Sequence, residues 1–566
     1  MFNQLRTAVE FAQHLPRYHE IIRVLFHYGF ADVLKLVALQ KLLGLEDAVL
    51  AKHESGILAK PPAERLRLAL EELGPTFIKF GQILSSRRDI VNDEFYDELC
   101  KLQDQVPTFP EAEARRIFLE DFGVPVEEAF KSFDVIPVAA ASISQVHRAE
   151  LLDGGRVAVK IQRPEIKRLV ERDLDILKDL AGVVEHHVSE LSSLNPSGLV
   201  REFSVALLKE LDFTNEAANS ERFAAQFEGN PHIQVGKIYR EVSSERVLTM
   251  EYLSGLSIND REGLIKAGIE PRLLAQRISV LIFQQIFEHG FFHGDPHPGN
   301  LTIMPDGVVA LYDFGMMGSF TLGFRASIAR MLAGLAGKDL EQVRRSILDM
   351  SEEGYVENPE HLLRDVEEFS ERNLSRPLSE LKLGGVLDDL LELLRRNHLR
   401  MKGSFYLGIK ALSQVESAGR KLDPELNFVL LGQPYAARLI ERKYHPLHLL
   451  DMLRRIFEES VDFLEDLPQD FRTVYGKIKR GQLNIPLQHK IDPKGFEPLR
   501  LTLDSIANRL TNAIVAASVL IGSSILILAG LPPRIWEVPV IGILGLIWGG
   551  YMCLRLVFSI WRHGGL

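Results

Sequence analysis

Asp295, Asn300 and Asp313 are oxygen-bearing side chains set at spacings that suit one kind of reaction. Asn300 lies five residues after Asp295, and Asp313 thirteen after Asn300. Leu301 to Ile303 and Val308 to Leu311 are short apolar runs around Pro305-Asp306-Gly307, a pattern that predicts a hairpin. Such a hairpin sets its two ends, Asn300 and Asp313, side by side. The chemistry these groups suit is phosphoryl transfer. A carboxylate accepts the proton of the nucleophile, and a few oxygen ligands hold the Mg²⁺ that accompanies nucleotide phosphates.

The order matches the protein-kinase pattern, in which a catalytic-loop Asp is the base. The Asn five residues on and the Asp of Asp-Phe-Gly then hold the metal. Asp295 is thereby the candidate base, Asn300 and Asp313 the candidate Mg²⁺ ligands, and ATP the expected nucleotide. A rival reading takes His293, Asp295 and His297 as a His-x-Asp-x-His metal site, but it leaves Asn300 and Asp313 without a task.

Other elements must bring a phosphate-binding cation to this loop. Gln145 to Leu151 and Arg156 to Gln162 alternate as two strands around Asp153-Gly154-Gly155. Val157-Ala158-Val159-Lys160 ends the second strand with a lysine placed like the one that pairs with the α- and β-phosphates. Upstream, Ala139, Ala140, Ala141 and Ser142 stand where ordinary kinases have a glycine-rich loop. Their Cβ atoms restrict the backbone's approach to phosphate, so an altered nucleotide grip is expected. A long helix with Leu169, Leu174, Leu177 and Leu180 on one stripe is inserted after Lys160. A further helix, roughly Gly198 to Phe223, carries the glutamate expected to pair with Lys160. Glu216 is the first choice and Glu210 the second. Met250, Glu251 and Tyr252 end a strand where a hinge would meet adenine.

The remaining domains follow in order. Residues 1–60 form N-terminal helices, expected to pack as a pair on the main domain. Residues 61–129 form a helical extension containing Lys79, Gly81 and Gln82, with Arg87, Arg88 and Asp89 as a charged exit. Residues 130–257 make a small lobe, 258–430 a helical large lobe fed by the helix Leu273 to His289, and 431–510 a helical connector. Between Arg509 and Arg534 lie 24 residues without Asp, Glu, Lys or Arg, and a second uncharged run lies between Glu537 and Arg555. The first run spans about 36 Å as helix, against ~30 Å of bilayer hydrocarbon. Pro532-Pro533, Trp536 and Trp561 near its ends, and Gly545-x-x-x-Gly549, complete the expectation of a transmembrane hairpin over 511–561.

The formal charge of −11 argues against a nucleic-acid partner, which calls for a basic patch. Cys100 and Cys553 are the two cysteines, too few for a disulfide framework. The first thirteen residues lack an uninterrupted apolar core, so no secretory signal is expected.

Taken together, these motifs resemble the UbiB family of atypical protein-kinase-like proteins, called ADCK in animals. The likeness covers about residues 60–430, and the C-terminal runs resemble those of bacterial members. The family's Lys-x-Gly-Gln motif matches Lys79, Gly81 and Gln82; its alanine-rich loop matches Ala139 to Ser142; its Glu-x-Asp motif matches Glu210 and Asp212. Ser144 and Gly294 depart from the residues usual at their places. The resemblance implies an α+β, two-lobed kinase-like fold with extra N-terminal helices, and a Lys79 helix folded over the nucleotide pocket. It implies an Mg²⁺- and ATP-dependent ATPase or kinase that supports isoprenoid quinone synthesis, chiefly ubiquinone, rather than a kinase of other proteins. The implied partners are ATP and ADP, membrane lipid, polyprenylated quinone precursors and enzymes of that pathway. The expected location is a bacterial inner membrane, with a C-terminal anchor and the catalytic domain in the cytoplasm. The alternatives are a small-molecule phosphotransferase of choline- or aminoglycoside-kinase type, and a non-catalytic nucleotide-binding scaffold.

Overall fold

The structure is a computed structural model. It describes residues 2–30, 57–87, 90–102, 107–187, 195–352, 356, 358–374, 383–443, 497–529, 534–535 and 538–563. Several expectations therefore lie outside the described residues. They are the part of the N-terminal helices within 31–56, Arg88 and Asp89, connector residues 444–496, Pro532-Pro533 and Trp536. The chain divides into two compact units, Met1–Arg454 and Arg455–Leu566.

In the first unit, a five-stranded antiparallel sheet is ordered Phe130–Phe133, Ser144–Leu151, Arg156–Gln162, Val247–Glu251, with Ala139–Ala140 paired to Ser144–Leu151. The turn between its two long strands is closed by Gly154 at φ +92° and by the Gly155 N–H donating to Asp153 Oδ1. Alternation decides what each face carries. Val157, Val159 and Ile161 are fully buried against the helix Glu111–Phe122, whereas Ala158 and Lys160 look to the other side. That other side faces the helix Phe213–Gln226.

The helix expected over Gly198 to Phe223 is two helices, Pro196–Glu210 and Phe213–Gln226. Asp212 breaks them apart: its carboxylate caps the second helix by accepting from the Thr214 N–H and hydroxyl. The inserted helix Ile166–His187 buries Val170, Leu174 and Leu177 in one core with Tyr18, Ile21, Ile22 and Val24. Those last residues belong to the N-terminal helix Phe2–His27, which runs through Pro16. It is fixed at depth by Arg17, whose Nε and Nη2 donate to both oxygens of the fully buried Asp173 at 2.9 Å. The same guanidinium reaches the Leu73 carbonyl at 2.7 Å.

The remainder of this unit is mostly helical. A four-stranded sheet orders Ile233–Val235, Val309–Leu311, Leu301–Ile303 and Leu256–Ser257. Its central hairpin pairs Leu301 with Leu311 and Ile303 with Val309 across the Pro305–Gly307 turn. Asp306 and Gly307 adopt φ +62° and +70° there.

The second unit corrects the sequence reading. Its helices Glu497–Ala529 and Val540–His563 are joined by a small ribbon, Arg534–Ile535 with Val538–Pro539. Gly545 lies against Ser523 and Gly549 against Leu520, so the small residues bring these two helices close. Among the described residues, however, no helix is long and apolar enough to cross a membrane. The first run is uncharged but holds Asn512, Ser518, Gly522, Ser523 and Ser524 among its apolar residues. The three serine hydroxyls bond back to carbonyls four residues earlier. The transmembrane hairpin is thus removed from the fold class, which is a kinase-like mix of helix and sheet. The C-terminal anchor and the bacterial inner-membrane location drawn from it go with the hairpin.

Candidate active site

Lys160 is the centre of the site. Its Nζ lies 2.8 and 3.1 Å from the two oxygens of Glu216 and 3.7 Å from Oδ2 of Asp313. The Phe213 ring, 5.2 Å from the ammonium, covers it from the side. Burial alone would lower the lysine, but Asp313 and Glu216 overrule it and hold it above its usual value. One cation serving two carboxylates leaves one of them short. Burial pushes Glu216 up to about 7 against the pull of Lys160, and the charge on Asp313 adds to the rise. Burial would also raise Asp313, yet Lys160, the Gly315 N–H and Lys79 keep it well below the usual carboxylate range.

Asp313 is the more accessible carboxylate of the two, its side chain 47% exposed against 6% for Glu216. Its Oδ1 accepts from the Gly315 N–H at 2.8 Å, which fixes the carboxylate while Oδ2 faces the lysine. Phe314 is buried between Phe223 and His293. The Phe314 carbonyl accepts from Asn219 Nδ2 at 3.0 Å. One helix, Phe213–Gln226, therefore positions both Glu216 and the Asp-Phe-Gly backbone.

The loop that carries Asp295 is prepared by an irregular helix. Pro271–Phe283 is α-helical, but the turn Gln284–His289 widens to a π-helix and ends on Gly290 at φ +71°. The widening lets the buried Gln285 accept from the His293 N–H at 3.0 Å. His293 in turn accepts from the Asp295 N–H at Nδ1 and donates from Nε2 to the Asp313 carbonyl. Burial lowers its pKa and keeps it neutral, consistent with those roles. With both nitrogens engaged, it is no metal ligand. Among the described residues no three His, Cys, Asp or Glu side chains converge on a metal position, so the His-x-Asp-x-His arrangement does not form.

Asp295 is held from a distance. Its Oδ1 accepts from Gln414 Nε2 at 2.7 Å and lies 3.1 Å from Lys410 Nζ, both on the helix Gly403–Leu422. Burial would raise Asp295, but Lys410 and the Gln414 amide hold it below its usual value. The same helix explains Gly294: a Cβ there would meet Leu407 at 2.6 Å. Asn300 donates from Nδ2 to the Asp295 carbonyl at 3.1 Å, and its own carbonyl accepts from the Tyr312 N–H. That leaves Asn300 Oδ1 and the Asp313 carboxylate as hard oxygen donors on adjacent strand ends. One carboxylate and one amide oxygen are a fitting protein share for Mg²⁺, which takes its other oxygens from water and phosphate.

Elsewhere the residues singled out by sequence take other tasks. Lys79, on the helix Pro75–Ser86, pairs with Glu210 at 2.7 Å, so Glu210 is not the partner of Lys160. Gly81 is a packing glycine, since a Cβ would meet Leu102 at 2.3 Å and Leu70 at 2.8 Å. Gln82 donates to the Leu102 carbonyl at 3.3 Å. Ala139 and Ala140 form the short edge strand, and the Ala141 carbonyl accepts from Arg163 Nε. Ser142 and Ser144 are buried, with hydroxyls that find no partner among the described residues. At the hinge, the N–H groups of Glu251 and Tyr252 already donate to the carbonyls of Lys237 and Arg156, and Met250 bridges to Ile238. An adenine would have to use other backbone groups.

Lys410, Gln414, Asn219 and Gln285 were missed in the sequence. Lys410 and Gln414 stand four apart on a largely apolar helix, a spacing that puts both on one face, but nothing local says what that face meets.

Comparison with known proteins shows what the chain is similar to. Residues 101–347 match the ABC1 atypical kinase-like domain, 366–427 the UbiB helical domain, and 494–562 the ABC1/UbiB kinase-like C-terminal domain. A Xylella fastidiosa protein named "Probable protein kinase UbiB" is 33% identical over 554 residues, covering 95% of this chain and 98% of its own. The Arabidopsis thaliana "Protein ACTIVITY OF BC1 COMPLEX KINASE 7, chloroplastic" is 36% identical over 402 residues, 71% of this chain and 58% of its own. Among solved structures, the Rv3197–erythromycin complex from Mycobacterium tuberculosis aligns at 24% identity with TM-score 0.42, covering 61% of this chain and 87% of that one.

Proposed function

This chain belongs to the UbiB/ADCK family of atypical kinase-like proteins, and from that premise we propose that it hydrolyses or transfers the terminal phosphate of Mg–ATP in support of isoprenoid quinone synthesis. The observation that carries the nucleotide reading is Lys160 held between Glu216 and Asp313 at 2.8 and 3.7 Å. A charged lysine in that position suits the α- and β-phosphates, and Glu216 keeps it aimed. Asn300 and Asp313 would hold Mg²⁺, which supplies charge neutralisation on the phosphates. Asp295, its carboxylate fixed by Gln414, accepts the proton of the attacking hydroxyl or water. The quinone assignment comes from the family resemblance. A polyprenylated phenolic precursor is the substrate class, or the cargo, that it suggests.

The helix Pro75–Ser86 favours this reading over a general protein kinase. The Lys79–Glu210 pair ties that helix to the helix preceding Glu216, and the charge of Lys79 is felt at Asp313. A polypeptide substrate would compete with that helix for space.

The test has two arms. The purified protein should show Mg²⁺-dependent ATP turnover that Asp313→Asn reduces about 100-fold or more. A deletion strain should accumulate quinone precursors, rescued by wild type and not by Asp295→Asn. Rescue by Asp313→Asn would favour the scaffold. Transfer to a soluble alcohol would favour the small-molecule phosphotransferase.

A further inference from the structure

Asp295 has two holders of different character. Gln414 is neutral and donates at 2.7 Å; Lys410 is charged, lies at 3.1 Å, and is 25% exposed on a flexible four-carbon stem. Both act on the same oxygen, Oδ1. If the lysine leaves, the amide still fixes the carboxylate.

The loop itself brings no permanent cation to this side of the site. From Asp295 to Asn300 it reads Asp-Pro-His-Pro-Gly-Asn, and His297 Nδ1 is spent accepting from the Gly299 N–H at 2.9 Å. Lys160 is already paired with Glu216 and Asp313. Yet a carboxylate beside the terminal phosphate of a triphosphate sets two anions together, and the transition state spreads further charge over the phosphoryl oxygens. A mobile cation standing between them answers both problems.

We infer that Lys410 binds the terminal phosphate of the nucleotide, exchanging its contact with Asp295 for one with that phosphate. The exchange transfers no proton. The helix Gly403–Leu422, from the region matching the UbiB helical domain, thereby contributes directly to nucleotide recognition. This inference rests on the nucleotide-site reading above.

The experiment is equilibrium binding of Mg–ADP and of a non-hydrolysable Mg–ATP analogue, with turnover, to the full-length protein. Lys410→Met should weaken the ATP analogue about tenfold while leaving ADP within about twofold, as expected for loss of one charge-assisted contact. Turnover, kcat, should fall about 100-fold, and Lys410→Arg should recover most of both. Lys160→Met, by contrast, should weaken both nucleotides. Lys410→Gln serves in the same ratio measurement if Lys410→Met does not fold. Equal weakening of both nucleotides by Lys410→Met, or no change in either, overturns the assignment of Lys410 alone. A wild-type protein that binds neither nucleotide overturns the site reading and this inference together.

Discussion

Lys79 and Glu210 form an ion pair at 2.7 Å, 131 residues apart in the chain, with side chains only 11% and 17% exposed. It joins the helix Pro75–Ser86 to the last residue of Pro196–Glu210, immediately before the Asp212 cap and the helix that carries Glu216. The helix that carries Lys79 and the helix that carries the partner of Lys160 are thus mechanically adjacent. Removing one partner of a charge-assisted bond this poorly hydrated should cost about 1.5–3 kcal/mol locally. Lys79→Ala should therefore raise backbone hydrogen exchange across 75–86 at least tenfold relative to wild type, and Lys79→Arg much less. Unchanged exchange in Lys79→Ala would show that packing at Gly81 alone retains the helix.

Glu216 makes the site sensitive to pH. Its carboxyl is raised from 4.5 to about 7, chiefly by burial. For an acid raised in the folded state, the associated stability is complete below about 4.5 and is lost as pH climbs through about 7. The loss is of order 3 kcal/mol at ~1.4 kcal/mol per pH unit. Glu216→Gln cannot titrate, so wild type should lose thermal stability relative to this variant between pH 4.5 and 7.5. Parallel melting curves for the two proteins across that range would disprove the shift.

Gln285 should be a costly residue to lose, although it touches no substrate. Its buried carbonyl oxygen accepts the His293 N–H in the turn leading to Asp295. Gln285→Leu leaves that N–H unpaired at a cost of about 1–3 kcal/mol. Thermal unfolding should drop accordingly, and turnover should fall more than nucleotide affinity because the displaced group is the Asp295 loop.

Arg17 fastens the N-terminal helix through Asp173, which is fully buried. Arg17→Met leaves that buried carboxylate only the longer contact with Arg172 Nε at 3.8 Å and should destabilise by about 3 kcal/mol. The double variant Arg17→Met with Asp173→Leu removes both charges and should recover most of the loss, which denaturant unfolding would resolve. A double variant as unstable as the single one would mean that the Leu73 carbonyl, not Asp173, is the critical partner.

Much of the site could be read locally. Alternation along Arg156–Gln162 put Lys160 opposite Val157, Val159 and Ile161, and turn residues at Pro305–Gly307 set Asn300 beside the Asp313 end of the hairpin. The break at Asp212 was also legible, as an Asp ahead of a helical run, but the continuous helical period around it obscured the cap. The C-terminal runs misled for a different reason. Absence of charge was read as a membrane span, and among the described residues no helix meets the length and apolarity that a span requires.

The sequence by itself determined the chemistry available: an Asp, an Asn and an Asp-Phe-Gly in order, and a lysine on the strand face opposite the buried Val157, Val159 and Ile161. Those features depend on neighbours within a few residues, where strand alternation and turn preferences act. Only the tertiary structure decided which glutamate met Lys160, that Lys79 took the other, and that Lys410 and Gln414 arrive at Asp295 from 115 and 119 positions away. Such pairings are set by how helices pack, and a side chain's sequence context does not record what lies across that contact.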